Sequence, residues 1–267
     1  METETVAAPE NSNAAFRRPI SASMPDHRPA EPDPANPAAA TVSFVVPVLN
    51  EAGSIETFLA SLRACCRETC EIVVVDGGSE DRTAQLAEAG SDVVITAPRG
   101  RAAQMNAGAR KATGSILCFV HADSQLPDHA DQIIGDALSR QQRQWGRFDV
   151  RLSGRHPLLR VVEASMNLRS RLTGIATGDQ SLFVRRETFD AVGGFPPIAL
   201  MEDIAMSRKL KSAGPPVCLR QRLTTSSRRW EIHGIVRTIV LMWKLRLLYF
   251  LGTDPADLAK RYYGRNG

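Results

Sequence analysis

Several short stretches place groups that can do chemistry at the ends of apolar runs. In "CFVHADS" the run stops on His121 and Asp123. A spacing of two keeps both side chains on one side of an extended segment, so an imidazole and a carboxylate can face one ion. A hard divalent cation takes oxygen ligands and fills its shell with phosphate oxygens and water, so one carboxylate plus a diphosphate suffices. Imidazole suits Mn²⁺ better than Mg²⁺. A capping Asp beside an incidental His fits the same letters.

In "VVVDGGS", Asp76 is followed by Gly77 and Gly78. A carboxylate there can accept from a nucleobase N–H or a ribose hydroxyl where the glycines admit a ligand, or it can cap the next turn. In "MED", Glu202 and Asp203 open a helix. The helix dipole favours acids in a first turn. A carboxylate at that position can also serve as a general base, typically worth about 10² to 10⁴ in rate. Gly178, Asp179 and Gln180 form a polar loop ahead of a strand, suited to an acceptor, and "SSRRWEIHG" joins Arg229 to Trp230. Guanidinium suits a diphosphate and indole can stack on a sugar; a core Trp at a helix start accounts for the same residues.

Elements of a definite kind must carry these groups. "TVSFVVPVLN", "CEIVVVDGGS", "DVVITA" and "SILCFV" are apolar, β-branched runs, and between them lie helical patterns at about 54–67, in "EDRTAQLAEAG" and in "AAQMNAGARKA". Strands alternating with helices, each strand apolar throughout, predict an α/β fold with a mainly parallel sheet covered on both faces. Ligands of such sheets sit outside the carboxyl ends of the strands. Asn50, Glu51, Asp76, Arg99, Arg101, His121 and Asp123 are therefore expected on one rim. Further along, "GRFDVRLSG" and "QSLFVRR" are expected to be strands, and "PLLRVVEASMNLRSRL" and "MEDIAMSRKLKSAG" helices. "WEIHGIVRTIVLMWKLRLLYFLG" is expected to be one long amphipathic helix. Residues 1–40, rich in Pro and Ala, are expected to be a disordered tail; 41–215 one domain with a nucleotide-binding half (41–130) and an acceptor half (131–215); and 216–267 a C-terminal helical extension.

Of 267 residues, 43% are hydrophobic and 23% charged, as in ordinary globular proteins. A net charge of +4 implies no nucleic-acid partner. The five cysteines have neither zinc nor disulfide spacing, and the chain opens on no charged-then-apolar leader, so a cytoplasmic protein is expected. Arg237, Lys244 and Arg246 beside Trp243, Tyr249 and Phe250 would suit the inner face of the plasma membrane, or a packed helix with its cations in water. Arg140, Arg143, Arg147, Arg151 and Arg155 form a basic stretch that could meet anionic lipid or a phosphorylated acceptor, or simply face water.

The ordered set "VVPVLNE", "VVVDGGSEDRT", "RAAQMNAGA", "CFVHADS", "GDQ" and "MED" resembles the family-2 nucleotide-sugar glycosyltransferases of the GT-A fold. "FVHAD", "RRW" and "LGTDPADLA" resemble the radical-SAM/selenodomain-associated subgroup. The resemblance implies that Pro47, Asn50 and Glu51 line the nucleotide site and that Asp76, with Gly77, meets the base, usually uracil. It implies that Arg101 and Asn106 flank the nucleotide, that Asp123 holds Mn²⁺ or Mg²⁺ against the diphosphate, and that Asp203 is the catalytic base. Arg229 and Trp230 resemble the end of a Q-x-x-R-W motif whose Gln position is Ser226 here, and His121 stands where many relatives carry an acid. The expected partners are a nucleotide-sugar donor and an acceptor that could be lipid-linked. Nucleotidyl transfer is the rival chemistry, but "PVLNEAGSIE" has one glycine and no cation with which to cradle a triphosphate. A catalytically inactive nucleotide-sugar or lipid-binding protein is the other alternative.

Overall fold

A computed structural model describes residues 41–66 and 70–264; the tail expected for residues 1–40 lies outside them. In chain order the first half runs β1 (Val42–Val48), α1 (Ile55–Ala64), β2 (Glu71–Asp76), α2 (Thr83–Ala87), β3 (Val93–Thr96), α3 (Arg101–Lys111), β4 (Ile116–Phe119) and β5 (Ser124–Gln125). Then come α4 (Ala130–Arg140), β6 (Trp145–Leu152), α5 (Pro157–Thr173), β7 (Phe183–Arg185), α6 (Arg186–Ala191) and α7 (Glu202–Leu210). β8 (Val217–Thr225), α8 (Arg228–His233), α9 (Ile235–Phe250) and α10 (Pro255–Tyr263) complete the chain.

The early strands are apolar throughout because helices cover both faces. Phe44, Val46, Ile72 and Val74 point to the side where α1 delivers Ile55, Phe58, Leu59 and Leu62. Val45, Val73 and Val75 point to the other, against Ala102, Met105 and Ala109 of α3. Burying side chains of this size contributes about 1.5–3 kcal/mol each, which locks the alternation. One eight-stranded sheet results, in the order β3-β2-β1-β4-β7-β6-β8-β5. Pairing is parallel except at β4–β7, β7–β6 and β8–β5. The expected α/β, mainly parallel architecture is therefore the one observed.

Three segments differ from the sequence expectation. Val217–Thr225, expected within a helical extension, is a nine-residue strand paired in parallel with β6 and antiparallel with β5. Its alternation is broken by exposed Arg220, Gln221 and Arg222, next to a register shift in the partner between Arg147 and Asp149, so its period is hard to read. The long helix expected over 230–252 is two helices, because Gly234 takes φ 83°, a conformation that breaks helical hydrogen bonding and suits glycine. The basic stretch is not one solvated face. Arg147 is fully buried, bonded to Asp149 and to Ser170 Oγ at 3.0 Å, and Arg140 pairs with Asp136 at 2.9 Å on α4.

Candidate active site

The carboxyl ends of β1 and β4 and the start of α3 open onto a cleft of about 570 Å³. Pro47 lines it from the end of β1 and Glu51 from the loop that follows, Arg99 from the loop before α3 and Arg101 from the first turn of α3, and His121 and Asp123 from the segment just after β4. Tyr263 of α10 reaches it from the far end of the chain. Hydrogen bonds lock the loop after β1: Glu51 N donates to Thr83 Oγ1 at 2.7 Å, and Gln104 Nε2 bridges Val48 O and Val75 O at 2.8 and 2.9 Å.

A second cavity, of about 240 Å³, lies beside the first, and Arg101, Asp123 and Asp179 border both. Gly178, Glu202, Asp203, Arg229 and Trp230 border the second alone of these two. Asp203 sits in the first turn of α7, where its Oδ1 accepts from Ile204 N at 2.7 Å and its Oδ2 from Gly178 N at 2.9 Å. The second bond requires glycine on the other side: a Cβ on Gly178 would lie 2.5 Å from His121 Nε2. His121, Gly178 and Asp203 are thus stacked in direct succession, tying the end of β4 to the start of α7.

The charges here act on one another. Burial, then the Asp203 charge, pushes the Glu202 carboxyl up to about 7, with Arg101 opposing. Burial, then Asp123, raises Asp179. Burial, then Arg101, pushes His121 down to about 3, so its imidazole is neutral at physiological pH. Burial works against the Arg101 cation, but Glu202, Tyr263, Tyr262 and Asp179 outweigh it and hold the guanidinium above its ordinary value. Clustered carboxylates and one strongly held cation where two cavities meet suit a reaction in which anionic charge develops between two bound molecules.

Five expected site residues are engaged elsewhere. Asp76 is buried, and its carboxylate accepts from Gly78 N and Ser79 N, each at 3.0 Å, so it caps its own turn; the adjacent Gly77 donates its N–H to Val48 O. Asn50 bonds the same turn, its Oδ1 accepting from Glu80 N at 2.9 Å. The Asn106 amide clamps the backbone of Phe195, donating to its O at 2.8 Å and accepting from its N at 2.9 Å. Gln180 is fully buried; its Oε1 accepts from Thr177 N at 3.2 Å and closes the turn that presents Gly178 and Asp179. These amides are spent on the backbone that shapes the site. Conversely, Tyr262 and Tyr263 border the cavities although no local pattern singles them out, and Arg246, expected at a membrane surface or in water, borders the second cavity. Arg229 is stacked over the Tyr262 ring, 3.7 Å from its centroid, so "RRW" and the segment after "LGTDPADLA" meet here.

Among the described residues no cluster of three or more His, Cys, Asp and Glu side chains could hold a metal by themselves. The exposed Asp123 carboxylate, shared by both cavities, nevertheless suits a cation that takes its remaining ligands from a diphosphate and water.

A mainly parallel α/β sheet with a cleft at its strand ends and a second cavity beside it is the arrangement expected of the GT-A fold. Residues 43–189 match the profile of glycosyl transferase family 2, and the chain belongs to that family. It is 30% identical over 168 residues to an undecaprenyl-phosphate 4-deoxy-4-formamido-L-arabinose transferase of Pseudomonas aeruginosa, a match covering 54% of this chain and 46% of the relative. The chain thus spans about half the length of the curated relatives it matches. Solved structures share the fold: S. aureus TarS 1-349 (TM-score 0.58, 21% identity, 70% of this chain and 60% of that one) and the mannosyltransferase PcManGT of Pyrobaculum calidifontis (0.53, 24%, 69% and 56%). TarS has been solved with UDP and with UDP-GlcNAc, and PcManGT with GDP-Man and Mn²⁺.

Proposed function

We propose that the chain moves a sugar from a nucleoside-diphosphate sugar, UDP-linked, to an acceptor hydroxyl with inversion at the anomeric carbon. The carrying observation is that the two cavities meet at Arg101, Asp123 and Asp179 while Asp203 borders the acceptor side. The donor lies in the larger cleft along Pro47, Glu51, Arg99 and Arg101, with Tyr263 beside it. The acceptor hydroxyl enters the second cavity, and its oxygen bonds to the anomeric carbon as the bond from that carbon to the diphosphate oxygen breaks. Asp203 takes the hydroxyl proton, and Arg101 stabilises the departing nucleoside diphosphate. A divalent cation, Mn²⁺ or Mg²⁺, held by Asp123 and the diphosphate with His121 alongside, would supply further neutralisation of the leaving group. Glu202, next to Asp203, sets the charge around the base. Asp76, Gly77, Asn50, Asn106 and Gln180 shape the walls.

We also propose that the chain belongs to the radical-SAM/selenodomain-associated subgroup, supported by "FVHAD" and "RRW" bordering these cavities together with Tyr262 and Tyr263 from the segment after "LGTDPADLA". The acceptor is lipid-linked, and the protein works at the cytoplasmic face of a membrane. The Pseudomonas relative's name supports a lipid-linked acceptor, and so does α9. Val236, Val240, Trp243, Leu247 and Phe250 follow at spacings of three and four and are all exposed, while Thr238, Met242 and Leu245 of the same helix line the second cavity. α9 contains no acid and carries Arg237 and Lys244, as an anionic bilayer surface requires. No described helix is long and apolar enough to cross a membrane.

Proton NMR of the product from a nucleotide-sugar screen with Mn²⁺ tests the reaction. An anomeric configuration opposite to that of the donor is expected; retention would rule out single displacement with Asp203 as base.

A further inference from the structure

A further cavity, of about 340 Å³, lies between α8 and α9 and has no part in the transfer reaction described above. Arg229 and His233 line it from α8, and Arg237, Val240, Leu241 and Lys244 from α9. Positions 237, 240, 241 and 244 follow at spacings of three and four, so they share one face of the helix. Three of the lining side chains are cations, and none among the described residues is an acid. Glu231, the acid of α8, accepts from Ser227 Oγ at 3.1 Å and does not line the cavity. Among the described residues no hydrogen bond or ion pair engages the side chains of His233, Arg237 and Lys244, and all three are exposed. Arg229 gives an Nη1 donor to the Tyr262 hydroxyl and stacks over that ring. A guanidinium has five donors, so its fork retains donors for a second partner.

Cations gathered around one cavity, with no anion of the chain among them, are complementary to an anion from outside. Size and apolar surroundings say which. The volume falls in the range of small-molecule sites, about 300 to 1,000 Å³, and exceeds what a lone inorganic ion fills. Val240 belongs both to this cavity and to the exposed apolar row that includes Val236, Trp243 and Leu247. A ligand that satisfies both has a phosphate at one end and apolar chains at the other. Phosphate pairs with guanidinium N–H groups and takes an ammonium as a point charge, while the stems of Arg and Lys lie along apolar surface with their heads at a polar boundary. A nucleoside diphosphate has no such apolar part, and no residue of this cavity lines the donor cleft. Arg229 and Thr238 line the second cavity as well, so a phosphate held here sits against the wall of the acceptor cavity.

We propose that Arg229, Arg237 and Lys244 hold the phosphate of an anionic phospholipid of the bilayer, with its acyl chains along the exposed row of α9. The assignment deepens the membrane-surface reading, from which it takes the bilayer. That reading needs only a diffuse attraction to anionic lipid, whereas a built cavity binds one lipid per chain and saturates.

Calorimetric titration of the full chain with dihexanoyl phosphatidylglycerol below its micellar concentration tests the proposal, with dihexanoyl phosphatidylcholine and glycerol 3-phosphate as the comparison probes. Phosphatidylglycerol binds saturably at about one per chain, and more tightly than either comparison probe, since one adds a repelled choline and the other lacks the chains. Arg237→Gln/Lys244→Gln weakens it by about tenfold or more. Arg220→Gln/Arg222→Gln, which removes the same charge from exposed positions of β8, leaves the affinity within about twofold of the parent. The absence of saturable binding, equal affinity in the α9 variant, or an equal loss in the β8 variant would overturn the proposal. So would phosphatidylcholine binding as tightly, which removes the role of charge, or glycerol 3-phosphate binding as tightly, which makes the occupant a water-soluble phosphate. The titration needs neither donor, turnover nor vesicles, so loss of transfer or of vesicle binding with this result intact would fault the proposed function and not the headgroup site.

Discussion

Two N–H groups and one glycine orient Asp203. Gly178 N and Ile204 N occupy one lone pair on each carboxylate oxygen, which fixes the plane of the group. Its neighbour Glu202 is raised by burial and by the Asp203 charge to about 7, from an ordinary 4.5. The folded chain therefore holds the Glu202 proton more tightly than the unfolded chain does. That contribution to stability is complete below about pH 4.5 and is lost as pH rises towards and through 7. Glu202→Gln, permanently neutral and of the same shape, is expected to gain thermal stability relative to the parent between pH 5 and pH 8. A difference that stays flat across that range contradicts the assignment. Glu51, Arg101, Asp123 and Asp203 were legible in the sequence because each sits where a strand ends or a helix begins, within a short motif. Asn106 and Gln180 lie in equally good motifs, yet their amides bond backbone. A motif specifies a position in the fold, and only three-dimensional partners decide whether the side chain faces a ligand. The site positions of Arg246 and Tyr262 were not legible for the converse reason: Arg246 belongs to an amphipathic helix that reads as membrane-facing or solvated surface, and Tyr262 belongs to no motif that the sequence sets apart.

Elements bring these residues together through close approaches. The turn at 178–180 packs on His121 so tightly that any side chain at 178 would collide with the imidazole. Gly178→Ala is expected to cost about 1–3 kcal/mol of stability through overpacking. Because displacing the turn also moves the N–H that holds Asp203, transfer should fall by more than donor affinity does. Measured by denaturant titration alongside kcat and donor Kd, an unchanged kcat would show that the turn does not position the base. The first four strands were legible because both faces are covered, which leaves an unmixed apolar signal. β8 was not, because it lies at the irregular side of the sheet, next to a register shift that interrupts its alternation. α4 and α10 also escaped notice; the latter begins on Asp254, whose Oδ1 accepts from Ala256 N at 2.7 Å, with Pro255 following.

Across the whole molecule, the large exposed apolar side chains gather on α5, on α8, on α9 and the residue after it, and at Tyr263; the described surface elsewhere has none. Apolar surface gathered in this way marks an interaction face. α9 forms both part of that face and a wall of the second cavity, so the proposed membrane-bound acceptor would reach Asp203 along this helix. Flotation with vesicles should show binding to phosphatidylglycerol-containing vesicles, weaker binding to pure phosphatidylcholine, and loss of binding in Val240→Asp/Trp243→Asp. Equal recovery with and without vesicles contradicts a membrane face, and dimerisation that the same double substitution abolishes would assign the face to a second copy of the chain.

The central claim is that the two cavities form one transfer site with Asp203 as its base. Asp203→Asn tests it most directly, because it keeps the side chain's shape and removes its basicity. UDP-sugar affinity and sugar-transfer rate would be measured on the same preparations with Mn²⁺ present. The expected result is donor binding within about twofold of the parent and a transfer rate lower by about 10² to 10⁴. Transfer at the parental rate with donor binding intact would contradict it.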